Sequence, residues 1–142
     1  TVDGVGVGLS VCYDVRFPAL YTELADRGAQ LIVVAASWGS GPGKLEQWTL
    51  LARARALDAT SYVAAAGQAD PGDTGSTSGA PTGVGGSLVA SPFGEVVVSA
   101  GSQPQLVVTD IDTDKVTAAR EKIAVLRNRA SFVHADRAES LG

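Results

Sequence analysis

The sequence predicts an α/β fold, because short apolar runs typical of strands alternate with longer amphipathic runs typical of helices. The clearest strand pattern is the continuous apolar run 31–36, whose Val and Ile residues suit a strand covered on both faces. The clearest helix pattern is 44–59, which is rich in Leu, Ala and Arg. The order strand, helix, strand, helix, strand favours helices layered on a sheet.

The first predicted strand is the apolar run 5–11, after which the chain turns at Tyr13 and Asp14. The amphipathic stretch 17–27 predicts the first helix, and Gly28 follows it as a stop signal. The strand 31–36 comes next. Together these segments predict one strand–helix–strand unit.

A loop, 37–43, made of Ser, Gly, Pro and one Trp separates the second strand from the second helix, 44–59. A third strand is predicted over 61–66. The second helix is expected to bury one apolar stripe, formed by Leu45, Trp48 and either Leu51 or Ala52.

The second half of the chain starts with a long segment, 68–86, that is dense in turn-forming residues and nearly free of large apolar ones. Loops of that length are usually functional or disordered, so mobility is predicted for part of it. Three more strands are predicted, over 87–90, 95–100 and 105–111, with a tight turn at 92–94.

A last helix is predicted after the cap at 112–114. The body of the domain is then expected to span 1–127, and 128–142 to form a polar tail. The apolar residues of the last helix recur at helical spacing, at Val116, Ala119, Ile123 and Leu126.

Composition and charge argue against several classes of function. The net charge of −4 lacks the clustered basic residues that nucleic-acid binding needs. No apolar run approaches the roughly 20 residues that span a bilayer. One Cys and one His exclude an internal disulfide framework and a Cys/His metal cluster. No metal and no other cofactor is predicted. The lone thiol fits a reducing cytoplasm.

Cys12 stands where the first predicted strand ends. A strand in a packed sheet fixes the side chain, and the following turn exposes it and aims backbone N–H groups at it, which suits a nucleophile. The alternative is that Cys12 is a small buried hydrophobic residue, which is the common fate of a free cysteine. Position alone leaves both interpretations open.

The segment Cys12-Tyr13-Asp14-Val15-Arg16-Phe17-Pro18 resembles the nucleophile segment of the nitrilase superfamily, the carbon-nitrogen hydrolases. Several ordered matches around a cysteine are more specific than one short pattern. Within the superfamily the chain looks most like the small ω-amidases and deaminated-glutathione amidases. The further matching stretches follow in the family's order, at 27–32, 48–58, 62–63, 86–87 and 91–95.

The resemblance implies a nitrilase-like αββα sandwich, of which this chain would be the C-terminal portion. It also implies that Cys12 attacks the carbon of a small-molecule amide, that ammonia leaves, and that water hydrolyses the thioester. The backbone N–H of Tyr13 would then stabilise the oxyanion. No nucleic acid or membrane is implied as a partner, whereas assembly into a homo-oligomer is.

In the family, a glutamate base and a lysine precede the cysteine. Here only eleven residues precede Cys12, and none of them is Glu or Lys. These two groups are therefore expected from a missing N-terminal half of the same protein, and the chain alone is expected to be inactive.

Two further residues are predicted to bind substrate. Arg16 lies four residues after the cysteine, and its guanidinium can hold a carboxylate in a bidentate fork, which suits amides of dicarboxylic acids. A structural ion pair with Asp14 or another carboxylate is the alternative. Trp38 follows the strand expected beside the nucleophile strand, where α/β sheets place ligand-facing residues.

Other functions fit the sequence less well. The glycines at 4–8 alternate within a strand and do not match the G-x-G-x-x-G fingerprint of dinucleotide binding. A Cys–His pair would need His134, in the polar tail, and Lys44 is a helix-start residue that could approach the site. A non-catalytic interaction module remains the main alternative to an enzyme.

Overall fold

A computed structural model describes residues 1–72 and 83–130 and shows a mixed α/β fold. Its helices are α1 (Pro18–Asp26), α2 (Lys44–Ala59) and α3 (Asp114–Ile123), and a short 3₁₀ helix spans Cys12–Arg16. Its strands are β1 (Val7–Val11), β2 (Leu31–Ala36), β3 (Tyr62–Gly67), β4 (Leu88–Ala90) and β5 (Val96–Ser99).

The five strands form one sheet in the order in which they occur along the chain. β1, β2 and β3 are parallel, and β4 and β5 continue the sheet through antiparallel pairings. The carboxyl ends of the three parallel strands therefore meet at one edge of the sheet, where Cys12 follows β1. The predicted α/β class is confirmed, and β2 and α2 have the predicted bounds.

Helices α1 and α2 cover one face of this sheet and form the core with it. Ile32 and Val34 of β2 alternate onto this face, and Tyr21 of α1 and Trp48 of α2 are fully buried against it. The stripe predicted for α2 is right at Trp48 and Ala52 but wrong at Leu45, which lies against Gly86 in the first turn and is 47% exposed.

The opposite face of the sheet is apolar and has no helix packed on it among the described residues. One register row across it runs from β1 to β5 through Leu9, Val33, Ala64, Val89 and Val98. Leu9 is 72% exposed. The described residues thus form one helix layer and one sheet layer, which is half of the predicted αββα arrangement.

The strand predicted over 105–111 is wrong, because this segment has no strand partner among the described residues. Leu106 and Val108 are 87% and 83% exposed, although the sequence has the alternation of a half-buried strand. Instead, 105–107 borders a cavity of about 280 Å³ on the uncovered face of the sheet. An alternating pattern forms a strand only where the edge of a neighbouring strand supplies partners for its backbone hydrogen bonds.

The ends of the predicted mobile segment 68–86 are held by backbone hydrogen bonds. The Gln68 N–H donates to the Ala36 carbonyl at 2.8 Å, and the Gly86 N–H donates to the Gly101 carbonyl at 2.9 Å. Its centre, 73–82, and the tail from 131 onward, including His134, lie outside the described residues. No helix among the described residues is long and apolar enough to cross a bilayer.

A buried hydrogen bond joins β1 to α1 directly before the turn that carries Cys12. The hydroxyl groups of Ser10 and Tyr21 are 2.6 Å apart. We expect Tyr21→Phe to lower the free energy of unfolding by about 1 kcal/mol, because it leaves the Ser10 hydroxyl buried without its partner. Urea unfolding at pH 7 measures this, and Tyr13→Phe, at an exposed tyrosine, is the control.

The contribution of Tyr21 to stability depends on pH. Burial raises the pKa of Tyr21 above its usual value of 10.0. The unfolded state then loses this proton first as the pH rises past about 10, so stability falls with increasing pH in that range. Tyr21→Phe should remove part of this alkaline loss, and equal losses in the two proteins would contradict the assignment.

Candidate active site

Cys12 is the first residue of the 3₁₀ helix, directly after β1, and its side chain is partly exposed. Its backbone lies in the left-handed region with φ of +46°. A residue other than glycine adopts this conformation at a cost of about 1–3 kcal/mol, and such residues cluster at functional sites. The strand, the sharp turn and the helix that follows together present the thiol at the sheet edge.

Asp14 closes the turn from both sides. Its carboxylate accepts a hydrogen bond from the Val11 N–H at 2.9 Å, and its carbonyl accepts one from the Phe17 N–H at 2.9 Å. The side chain thus ties the last residue of β1 to the 3₁₀ helix. Cys12 lies between Val11 and Asp14 in the sequence, so these hydrogen bonds hold its left-handed backbone conformation in place.

Arg55 of α2 supports the same turn from the core. Its guanidinium donates to the Val15 carbonyl at 3.1 Å and pairs with the Asp58 carboxylate at 2.8 Å. Arg55 is almost fully buried, so a partner carboxylate is needed to offset the loss of hydration. This contact fixes the 3₁₀ helix relative to α2.

The N–H of Tyr13 lies in the first turn of the 3₁₀ helix, where N–H groups have no acceptor within the helix. No acceptor for it is found among the described residues. An N–H one residue after a nucleophile is well placed to donate to an oxyanion that forms on the attacked carbon.

Arg16 lies against two aromatic rings. The guanidinium carbon is 4.8 Å from the ring centroid of Trp38 and 5.4 Å from that of Tyr13. The ion pair with Asp14 considered from the sequence is not formed: the ion pairs of the described residues involve Arg27, Arg55 and Arg129. Arg16 Nε is buried and has no hydrogen-bond acceptor among those residues.

Trp38 lies two residues beyond β2 and is only 5% exposed. Its indole N–H donates to the Lys44 carbonyl at 3.0 Å, and its ring centroid is 5.5 Å from that of Trp48. The structure therefore brings Trp38 next to Arg16 but buries most of its surface. Contact with a ligand through Arg16 fits this position better than direct contact.

Comparison with known proteins gives the family. A family model described as carbon-nitrogen hydrolase matches residues 1–121. The chain belongs to this family. A hydrolase of Mycobacterium tuberculosis strain H37Rv is 77% identical over 99% of this chain and 52% of its own length.

Two relatives of this carbon-nitrogen hydrolase chain carry more specific names. Deaminated glutathione amidase of Escherichia coli O157:H7 is 37% identical over 90% of the chain and 45% of its own length. Human omega-amidase NIT2 is 37% identical over 91% of the chain and 45% of its own length. The chain thus spans about half the length of these curated relatives.

A solved structure extends the comparison to the fold. An amidase mutant from Nesterenkonia sp. AN1 superposes with a TM-score of 0.67 and 29% identity, over 87% of this chain and 40% of that one. That structure shows the acetamide moiety of fluoroacetamide covalently added at the active site cysteine. The nitrilase-like fold predicted for the carbon-nitrogen hydrolase chain is confirmed.

Two carboxylates of the carbon-nitrogen hydrolase chain form ion pairs with nearby arginines. Glu23 pairs with Arg27 at 2.7 Å on the exposed side of α1. Asp58 pairs with Arg55, and the Lys44 backbone is engaged by Trp38. Among the described residues, no group of three or more His, Cys, Asp or Glu side chains is placed to hold a metal ion.

The sequence interpretation missed the structural roles of Asp14 and Arg55. A signal for Asp14 was available, since an acidic residue three positions after a strand end can cap the turn that follows. No local signal exists for Arg55, which meets Val15 from 40 residues away.

Proposed function

We propose that the protein to which this chain belongs is a small-molecule amidase that hydrolyses ω-amides of dicarboxylic acids through a thioester on Cys12. The observation that carries the proposal is the left-handed backbone of Cys12 at the end of a strand, enclosed by the Asp14 hydrogen bonds. Strain of this kind persists only where the surrounding structure enforces it. A nucleophile that must be presented in one orientation accounts for it.

The chemistry proceeds in two halves. The Cys12 sulfur attacks the amide carbon, the C–N bond breaks, and ammonia leaves with the proton taken from the thiol. Water then attacks the thioester carbon, the C–S bond breaks, and the carboxylic acid and the thiol are restored. The covalent acetamide adduct at the cysteine of the Nesterenkonia amidase supports a cysteine nucleophile here.

Each half passes through a tetrahedral oxyanion, for which we propose the Tyr13 N–H as one donor. Its place in the first turn leaves it without an acceptor among the described residues. Removing one such donor typically costs about 3–4 kcal/mol of transition-state stabilisation. The shape of the turn is therefore as important to the rate as the thiol itself.

The family resemblance implies a base and a lysine besides Cys12, and the chain spans only about half the length of its curated relatives. We propose that both come from a further part of the same protein, which also supplies the second sheet layer. The uncovered apolar row through Leu9, Val33 and Ala64 supports this, since an exposed apolar face of that kind marks a surface of contact. Homo-oligomer formation and a cytoplasmic location remain predictions from the sequence.

The substrate class follows from Arg16. Its guanidinium lies near the nucleophile in sequence and takes part in no ion pair among the described residues. A partly buried cation with no carboxylate partner in the described part of the chain is suited to an anionic ligand, and a guanidinium fork matches a carboxylate. The named activities of the omega-amidase and deaminated glutathione amidase relatives support a substrate that carries an amide and a carboxylate.

The test compares two amides of equal length in the full-length protein. Succinamate carries a carboxylate at the end away from the amide, and butyramide carries a methyl group there. We expect ammonia release from succinamate and stoichiometric alkylation of Cys12 by iodoacetamide that stops it. Alkylation with no ammonia release from either amide would favour the interaction module and overturn the amidase.

Replacing Arg16 tests the carboxylate contact. Arg16→Met should raise KM for succinamate by about 10- to 100-fold, the range expected for a lost hydrogen bond to a charged group. Arg16→Lys keeps the charge but loses the fork, and its KM should fall between those of the other two proteins. Steady-state ammonia assays measure both. Equal effects on succinamate and butyramide would show that Arg16 does not bind the carboxylate.

A further inference from the structure

We propose that Trp38 is a positioning residue for Arg16, and that its indole ring, together with the ring of Tyr13, holds the guanidinium in the orientation that receives the substrate carboxylate. This inference rests on the proposed function, since it concerns the same substrate. The two aromatic side chains then affect substrate selectivity through their contact with Arg16 and not through contact with the substrate.

The first observation is the continuous contact from the core to the surface. Trp48 is fully buried, Trp38 contacts it with a centroid distance of 5.5 Å, and Arg16 lies 4.8 Å from the Trp38 centroid. Arg16 also lies 5.4 Å from the ring of Tyr13, which is exposed. These distances are within the range of cation–π attraction, which is stronger where the cation is partly desolvated.

The second observation is that Trp38 cannot easily move. Its indole N–H donates to the Lys44 carbonyl at 3.0 Å, and its own carbonyl accepts from the Val84 N–H at 3.0 Å. Both the side chain and the backbone are thus fixed to neighbouring segments. A ring fixed in this way is a rigid surface on which a guanidinium can rest.

The third observation is that little else holds Arg16. It forms no ion pair among the described residues, and its Nε–H has no acceptor there. A long side chain without polar partners samples many rotamers, and only the fraction in the competent orientation binds ligand. The apparent affinity falls in proportion to that fraction, so loss of the rings should weaken carboxylate binding.

The alternative is that Trp38 only fills space in the core. A packing role would affect all substrates alike, because it acts through the amount of folded enzyme. A positioning role affects only the substrate that carries a carboxylate. The ratio of kcat/KM for succinamate to that for butyramide separates the two, since the concentration of folded enzyme cancels in it.

The experiment uses Trp38→Leu and Trp38→Phe in the full-length protein. Trp38→Leu should lower that ratio about tenfold through a higher KM for succinamate, which is the size expected for losing one cation–π contact. Trp38→Phe keeps a ring and should restore most of the ratio. An unchanged ratio with Trp38→Leu, or no rescue by Trp38→Phe, would overturn the proposal.

Coupling to Arg16 gives an independent readout. In an Arg16→Met background, Trp38→Leu should not lower the ratio further, because the group that it positions is absent. If Trp38→Leu does not fold, Tyr13→Leu tests the exposed ring, and the ratio should fall in the same direction. Effects that multiply in the double variant would contradict a role through Arg16.

A binding measurement separates failure of this inference from failure of the amidase. Succinate, the product, is titrated by calorimetry into the Cys12→Ala variant and into the double variant that carries Cys12→Ala and Trp38→Leu. We expect the double variant to bind succinate about tenfold more weakly, again by the loss of one cation–π contact. If the two variants differ in succinate affinity but the full-length protein releases no ammonia, only the amidase proposal is refuted. Equal succinate affinities of the two variants would refute the positioning role.

Discussion

Cys12→Ala is expected to lower kcat for succinamate by about 10⁴-fold or more, because removing a covalent nucleophile leaves only binding and oxyanion contacts to act on the amide. The substitution deletes one partly exposed sulfur and keeps the backbone, so the fold should persist. Ammonia release under saturating substrate measures the rate, and circular dichroism checks the fold. Turnover within about tenfold of the unsubstituted enzyme would overturn the assignment of the nucleophile.

Cys12→Gly is the matched variant that tests the strained backbone. Both substitutions remove the thiol, but only glycine adopts a φ of +46° without steric cost. We therefore expect Cys12→Gly to be more stable than Cys12→Ala by about 1 kcal/mol in urea unfolding. Equal free energies of unfolding would show that the turn does not strain Cys12. The left-handed backbone would then no longer support a catalytic role, whereas the kinetic test with Cys12→Ala would still stand.

The elements that local patterns specify were predicted well. The strand β2 is a continuous apolar run, and α2 is a long run of helix-forming residues with Trp48 and Ala52 on its buried side. The position of Cys12 also followed from local signals, since an apolar strand there ends in polar turn residues. In each case the decisive information lies within a few residues of the feature.

Features that depend on distant partners were not predictable in the same way. The support that Arg55 gives to Val15 joins residues 40 positions apart, and the contact of Arg16 with Trp38 depends on where the loop after β2 folds. The prediction for 105–111 failed for the same reason, because its alternating pattern specifies a strand but not an edge on which to pair. Sequence reasoning thus placed Cys12 at the end of a strand but did not find the contact of Arg16 with Trp38.

Trp48→Ala should have the largest effect on stability of the truncations proposed, about 4 kcal/mol in the free energy of unfolding. Trp48 is fully buried between α2 and the sheet, and its indole N–H donates to the Gly86 carbonyl at 3.0 Å. Truncation opens a large cavity and leaves that carbonyl without its donor. Urea unfolding followed by circular dichroism measures the loss.

Two variants define what Trp48 contributes. Trp48→Phe keeps most of the buried ring but not the N–H, so it should cost about half as much as Trp48→Ala. Leu50→Ala, on the exposed side of the same helix, should change stability by less than about 0.5 kcal/mol. Trp48 also packs against the Trp38 ring, so Trp48→Phe, if it folds, should retain the selectivity for succinamate. A cost for Trp48→Ala close to that of Leu50→Ala would contradict the core position of this side chain and, with it, the rigid base on which Arg16 is proposed to rest.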